Sequence, residues 1–338
     1  MLPKNLLQDK KLIEEIFDRA TTIFEKKQVP QHKLNASEVQ EFLKVSGEEG
    51  SKSALDKFPE DKARLAEAII LTIGRPAILI KNNTFEVDVS DEWAKRLEAA
   101  RANVEKAIRS VGRIEVTNHP RGLSYLGTGW LVAPDVIVTN RHIAEAFARK
   151  QDGSFVIKRN STTGMNIGVN IDFREEFQVN AQEHFEVLEV LYIEEDLDDK
   201  PDIAFLKVST KALVRGAVVN LSSTPIPLTN TLVQDESEVA AIGYPAEDSR
   251  RNPLPDPDMN KIFGDIYDVK RLQPGQIKSV RPDLITHDCS TLGGNSGSVV
   301  IDLQSGSAVG LHFGGKFMVE NYAVPAAIIR ERMQSLGI

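Results

Sequence analysis

Three residues have the types and the order in the chain that acyl transfer needs: His142, Asp202 and Ser296. Ser296 sits in Ser290-Thr291-Leu292-Gly293-Gly294-Asn295-Ser296-Gly297-Ser298, a glycine-bracketed bend that runs into Val299-Val300-Ile301. Glycines there free the backbone for unusual φ values and let a substrate carbonyl approach the amides of Gly294 and Ser296, which would serve as oxyanion donors. Gly, Asn and Ser also dominate ordinary hairpin turns, so the stretch alone does not decide its own role. His142 ends the apolar run Val136-Ile137-Val138-Thr139, and Asp202 opens Ile203-Ala204-Phe205-Leu206-Lys207-Val208. In these roles a neutral His142 takes the Ser296 proton, and Asp202 fixes the imidazole tautomer and stabilises the imidazolium.

Elements that could position such a set fall into two stretches. Up to about residue 110 the pattern is helical. Ile13, Ile16, Phe17, Ala20, Ile23 and Phe24 form one stripe between Leu7 and Lys27, Ser37 with Gln40 suggests a capping box, and Gly47 to Ser53 reads as a loop. Pro59 to Ile73 is a further helix, Ala77–Ile80 and Thr84–Val87 a small hairpin, and Ser90 or Asp91 caps a helix through Ser110. Beyond Val111 come short β-like runs: 114–116, 126–132, 136–139, 154–158, 168–173, 185–193, 203–208, 213–219, 238–242, 276–280, 298–303 and 308–312. Residues 245–275, with Pro245, Pro253, Pro255 and Pro257, read as an irregular excursion, and Ala326 to Ser335 as a closing helix.

Four motifs in this order resemble the trypsin-like, chymotrypsin-fold serine peptidases over roughly residues 111–330: Gly127-Thr128-Gly129-Trp130, Val138-Thr139-Asn140-Arg141-His142, Asp202-Ile203-Ala204 and Gly294-Asn295-Ser296-Gly297. The resemblance implies a mainly β fold of two antiparallel six-stranded barrels with the site in the cleft between them, here preceded by an α-helical N-terminal domain. The domains expected are 1–110, for docking or regulation, and 111–338, the protease with its closing helix. Gly310-Leu311-His312-Phe313-Gly314-Gly315 and Thr291 are similar to the bacterial glutamyl endopeptidases, in which the matching histidine and threonine hold an acidic side chain of the substrate. Cleavage after Glu or Asp is what that implies, although a satisfied core histidine is an equal reading of His312. In those enzymes a freed N-terminal amine also helps; with 110 residues before the barrel it is not expected to reach, and Lys316 is a candidate substitute. Asn295 stands where many relatives carry an aspartate that pairs with a new N-terminus, so that switch is not expected.

The 338-residue chain carries a net charge of −8, with 19 basic and 19 acidic residues up to position 110 and 22 against 30 beyond, so the excess acid belongs to the second part and nucleic acid is not an expected partner. Neither a signal peptide nor an apolar run of membrane-spanning length is legible. Cys289 is the one cysteine, which excludes an internal disulfide and fits a reducing cytoplasm. It lacks a histidine motif of its own and is not expected to be a nucleophile. Asp196, Asp198 and Asp199 are rivals of Asp202 but read as a solvated loop. His32, His119, His184 and His287 are scattered without metal-ligand spacing, so neither metal nor cofactor is expected. The partner expected is a protein or peptide substrate, with a second protein docking on residues 1–110. By analogy with bacterial defence systems, that partner would be an effector switched on by cutting. The alternatives are an inactive protease-like binding module and a quality-control protease without acidic preference, though no glycine-led peptide-binding domain follows the barrel.

Overall fold

A computed structural model describes residues 2–26, 35–88, 90–231, 233–247, 263–316 and 320–338. The first third comprises α1 (Lys4–Gln8), α2 (Lys10–Lys26), α3 (Ala36–Glu49), α4 (Ser51–Lys57), α5 (Glu60–Gly74), the hairpin β1 (Ile78–Lys81) and β2 (Thr84–Phe85), and α6 (Asp91–Ile108). In α2 the buried face is Leu12 and Ile16, with Ile13 and Phe17 half-buried beside it; the side chains of Ala20, Ile23 and Phe24, and Lys27 itself, lie outside the described residues. The capping box of α3 is Asn35 with Glu38, not Ser37 with Gln40: the Asn35 side chain accepts from Glu38 N, and the Glu38 carboxylate accepts from Asn35 N. An anionic side chain at the third position is the better acceptor and suits the positive end of the helix. Gln40 instead donates to the Phe17 carbonyl at 3.1 Å, tying α3 to α2. The expected loop at 47–53 is helical except at Gly50, whose φ of 91° breaks α3 from α4. Ser90 caps α6 by accepting from Trp93 N.

β3 (Val111–Thr117), β4 (Tyr125–Ala133) and β5 (Val136–Thr139) lead into α7 (Arg141–Phe147). After the hairpin β6 (Ala148–Gln151) and β7 (Ser154–Ile157) come β8 (Gly168–Asp172), β9 (His184–Ile193) and β10 (Ala204–Val208). Antiparallel pairing in the order β10-β5-β4-β3-β8-β9 closes a six-stranded barrel. The single strand expected at 213–219 is a hairpin, β11 (Lys211–Val214) and β12 (Ala217–Asn220), because Arg215 and Gly216 turn the chain at φ 49° and 83°.

The second barrel has β13 (Glu238–Gly243), β14 (Arg271–Val280), β15 (Ile285–His287), β16 (Val299–Asp302), β17 (Ala308–Lys316) and β18 (Glu320–Pro325), followed by α8 (Ala326–Leu336). Its order is β13-β16-β17-β18-β15-β14, closed by pairing of β13 with β14. The expected excursion at 245–275 ends early, since Arg271 already pairs in β14; Pro253, Pro255 and Pro257 lie outside the described residues. β1 pairs antiparallel with β14, Ile78 opposite Leu272, so the N-terminal hairpin extends the second barrel's sheet.

Strand alternation explains the packing. In β13, Val239 and Ala241 join the interior of the second barrel, whereas Ala240 and Ile242 face a larger core shared with Leu6, Phe42 and Trp93 of the helices and Trp130 and Phe205 of the first barrel. β5 divides the same way, Ile137 inward and Val136 and Val138 toward the shared core. Strands apolar on both faces follow from burial on both faces. The buried Lys270 ammonium donates to the carbonyls of Ile108 and Phe173 and lies 3.5 Å from Glu176, knotting α6 and the two barrels together. Burial lowers its pKa to about 8.

Candidate active site

His142 is the second residue of α7, whose N-cap, Asn140, directly follows the end of β5. Asp202 lies just ahead of β10, and β10 pairs with β5 so that Ala204 faces Thr139. Register therefore carries the aspartate to the histidine across 60 residues. Asp202 Oδ2 is 2.6 Å from His142 Nδ1, and Oδ1 accepts from His142 N at 3.1 Å. Asn140, wholly buried, donates to the Asp202 carbonyl at 2.9 Å and fixes the segment from behind. A carboxylate accepting at Nδ1 places the proton there and leaves Nε2 as the basic nitrogen. The imidazole keeps 44% of its side-chain surface exposed. Asp196 pairs with Arg141 at 2.6 Å while its side chain remains 73% exposed, and Asp198 and Asp199 are exposed.

The bend around Ser296 is attached to both barrels. Thr128 N donates to the Ser296 carbonyl at 2.8 Å, and Thr128 Oγ1 donates to the Gly294 carbonyl at 3.1 Å. From the second barrel, Gly297 N donates to the His312 carbonyl and His312 N to the Ser298 carbonyl. The two glycines are required sterically as well as conformationally. A Cβ on Gly294 (φ 91°) would lie 2.4 Å from the Tyr244 carbonyl oxygen, and one on Gly297 (φ 88°) 1.9 Å from that of Thr128. A Cβ on Gly127 would touch both Ile143 and the Ser296 carbonyl at 2.8 Å, so the histidine helix and the serine bend flank this glycine together. Among the described residues the amides of Gly294 and Ser296 have no protein acceptor, whereas those of Asn295, Gly297 and Ser298 do.

His312 and Thr291 sit close to this bend but with different freedom. His312 is 3% exposed, and its Nδ1 is 3.2 Å from Nε2 of the equally buried His287. That is a correction to the scattered-histidine expectation: β15 and β17 both pair with β18, which brings residues 25 apart in sequence into contact. Burial lowers the His287 pKa to about 3; burial, then the neighbouring His287 and His142 rings, hold His312 well below the usual histidine range. Thr291 Oγ1 donates to Asn321 Oδ1 at 2.6 Å, and Asn321 Nδ2 donates to the Cys289 carbonyl. The Lys316 side chain lies outside the described residues. Cys289 is buried, and its thiol is pushed up by burial and by Asp288, which leaves it protonated and inert.

His184, expected to be scattered, instead gathers with two carboxylates that the sequence did not single out, a further correction to that expectation. His184 Nε2 lies 3.1 Å from Glu115 and 3.2 Å from Asp172 on the first barrel, the one group among the described residues with metal-ligand proximity. The adjacent Asp172 and then Glu115 carboxylates raise the His184 pKa to about 10, so a proton on the ring accounts for the cluster.

Residues 127–311, more than half of the chain, match the trypsin-like peptidase domain. A probable serine protease from Lysobacter enzymogenes is 29% identical over 318 residues, 82% of this chain and 76% of that protein. Among solved structures, the active form of a protease from M. tuberculosis is 18% identical, covering 71% of this chain and 86% of that one with a TM-score of 0.44. The serine endoprotease from Yersinia pestis is 18% identical over 70% and 66%, with a TM-score of 0.45. This chain belongs to the trypsin-like peptidase domain family and is a peptide hydrolase of the serine-protease class.

Proposed function

We propose that the protein is a serine endopeptidase in which Ser296, His142 and Asp202 form the triad and cleavage follows glutamate or aspartate. The two-point contact of Asp202 with His142 carries this reading. Ser296 Oγ attacks the scissile carbonyl as its proton passes to His142 Nε2, and the oxyanion is met by the unpartnered amides of Gly294 and Ser296. His142 then gives that proton to the leaving amine, and water releases the acyl group by the same steps in reverse.

The acid preference rests on the histidine pair. If His287 donates from Nε2 to His312 Nδ1, the orphan left behind is an acceptor, His287 Nδ1, which has no partner among the described residues. The opposite arrangement buries an orphan N–H, the costlier defect. The favoured arrangement gives His312 an Nε2–H with which to meet a carboxylate. Thr291 acts as a wall rather than a donor, since its hydroxyl is committed to Asn321. Residues 1–110 recruit a protein partner, in this reading an effector that cutting switches on.

Peptides differing only at the cleavage position, together with a fluorophosphonate probe, test the proposal. Glu and Asp peptides should be cut and Ser296→Ala should neither cut nor label. Equal cleavage after Lys or Leu would remove the acid preference and favour a general protease, and wild-type protein that never labels would favour the inactive module.

A further inference from the structure

The geometry points to Arg75, from the helical region, as a positioning residue for the nucleophile bend; the inference rests on the proposed role of Ser296. Arg75 follows α5 directly, and its amide donates to the Leu71 carbonyl, so the helix end fixes its backbone. Its side chain is fully buried. Nε and Nη2 each lie 2.7 Å from one oxygen of Asp288, whose side chain is 1% exposed, and Nη2 also donates to Gln276 Oε1 at 3.0 Å. Nη1 donates to the Gly74 carbonyl. The Arg75 carbonyl in turn accepts from Ser290 Oγ at 2.7 Å. One residue of the helical region thus holds both ends of Asp288-Cys289-Ser290, the tripeptide immediately before Thr291.

This segment has little slack of its own. Asp288 Oδ1 also accepts from Gln276 N at 2.7 Å, and a Cβ on Gly275 would come within 2.7 Å of Asp288 and 2.8 Å of Cys289 N. The Cys289 carbonyl is taken by Asn321, which also accepts from Thr291. From Thr291 the chain enters the turn in which Asn295 N donates to the Leu292 carbonyl, and Ser296 follows. A shift at Asp288 or Ser290 therefore has no loop to absorb it before it reaches Thr291 and the amide of Gly294. A bidentate guanidinium–carboxylate pair fixes orientation as well as distance, and a lysine reproduces only the charge.

Buried ion pairs add little net stability over a neutral replacement, while removal of one partner alone is costly, so position and stability can be separated by experiment. In full-length Arg75→Met/Asp288→Asn both charges go together. This variant should melt within about 5 °C of wild type, yet lose roughly tenfold or more in kcat/KM per folded molecule and in the rate of fluorophosphonate labelling. Arg75→Lys should fold and recover part of that loss. Ser290→Ala, which deletes only the hydrogen bond to the Arg75 carbonyl, should raise KM several-fold with at most a small drop in melting temperature and covers the case in which the double variant fails to fold. Wild-type kinetics, within twofold, in a folded double variant or in Ser290→Ala would overturn the inference. Wild-type and Ser296→Ala proteins are measured first: labelling that persists in Ser296→Ala overturns the proposed function, and the role of Arg75 falls with it, whereas Ser296-dependent labelling with fast Arg75 variants overturns Arg75 alone.

Discussion

Replacing His287 by glutamine should flatten the acid side of the stability curve, by an amount that follows from the burial of one ring. In the folded protein His287 stays neutral down to about pH 3, because desolvation disfavours the imidazolium. In the unfolded chain it takes up a proton near pH 6.5. Between those values the unfolded state binds more protons than the folded state, so stability falls as pH falls through that window. The linkage is about 1.4 kcal/mol per pH unit, which gives about 3 kcal/mol lost from His287 between pH 7.5 and 4.5. Glutamine can offer an N–H to His312 Nδ1 but cannot take up the proton. The stability of wild type relative to His287→Gln should thus shrink by about that amount over the same range. Urea unfolding at a series of pH values, followed by tryptophan fluorescence, measures it; both tryptophans, Trp93 and Trp130, are fully buried in the shared core. Equal pH dependence in the two proteins, within about 0.5 kcal/mol, would refute the buried neutral pair.

Two further outcomes follow from the site geometry. Asp202→Asn breaks the acceptor at 2.6 Å that sets the His142 tautomer, and kcat should drop about 10⁴-fold with little change in melting, as steady-state kinetics and calorimetry would read; a loss under tenfold would place the aspartate outside the triad. Gly297→Ala forces a Cβ to 1.9 Å from the Thr128 backbone oxygen at φ 88°, so it should lower stability by about 3 kcal/mol or more and abolish labelling of Ser296, and an unchanged melting temperature would contradict the packing.

Elements with strong local signals were legible in the sequence. β5 and the histidine after it are read within a residue, because four consecutive β-branched or apolar residues end at a turn signal. Ten of the twelve β-like runs, the Asp202 strand among them, likewise map onto the two barrels, while 154–158 and 213–219 fall in separate hairpins. Weak or polar strands escaped: β15 has three residues, and β18 reads Glu-Asn-Tyr-Ala-Val-Pro, with no clear alternation. Gly47 suggested a loop where the structure has helix, because one glycine costs only about 1 kcal/mol and Val39, Phe42 and Leu43 of the same helix are buried. What no local pattern carries is partnership at long range. Arg75 and Asp288 are 213 residues apart, and each alone reads as a surface charge. His287 with His312, and Glu115 with Asp172 and His184, are likewise products of strand pairing rather than of spacing.

The identity of residue 295 follows from where the supports of the Ser296 bend lie. Asn295 is fully buried; its Oδ1 accepts from Ser298 Oγ, and its Nδ2 has no partner among the described residues. A carboxylate at this position would be buried with a single weak donor, and a charge without a partner costs several kcal/mol. The bend therefore does not use charge at its own centre. It is fastened at its edges: by Thr128 to the first barrel, by His312 to the second, and through Asp288 and Ser290 to Arg75 at the end of α5. Two of these anchors are main-chain or hydroxyl hydrogen bonds made by the barrels themselves. The third is an ion pair whose cation comes from the helical region, so one partner of the charge pair that steadies the bend lies in the part of the chain that the barrels alone do not contain.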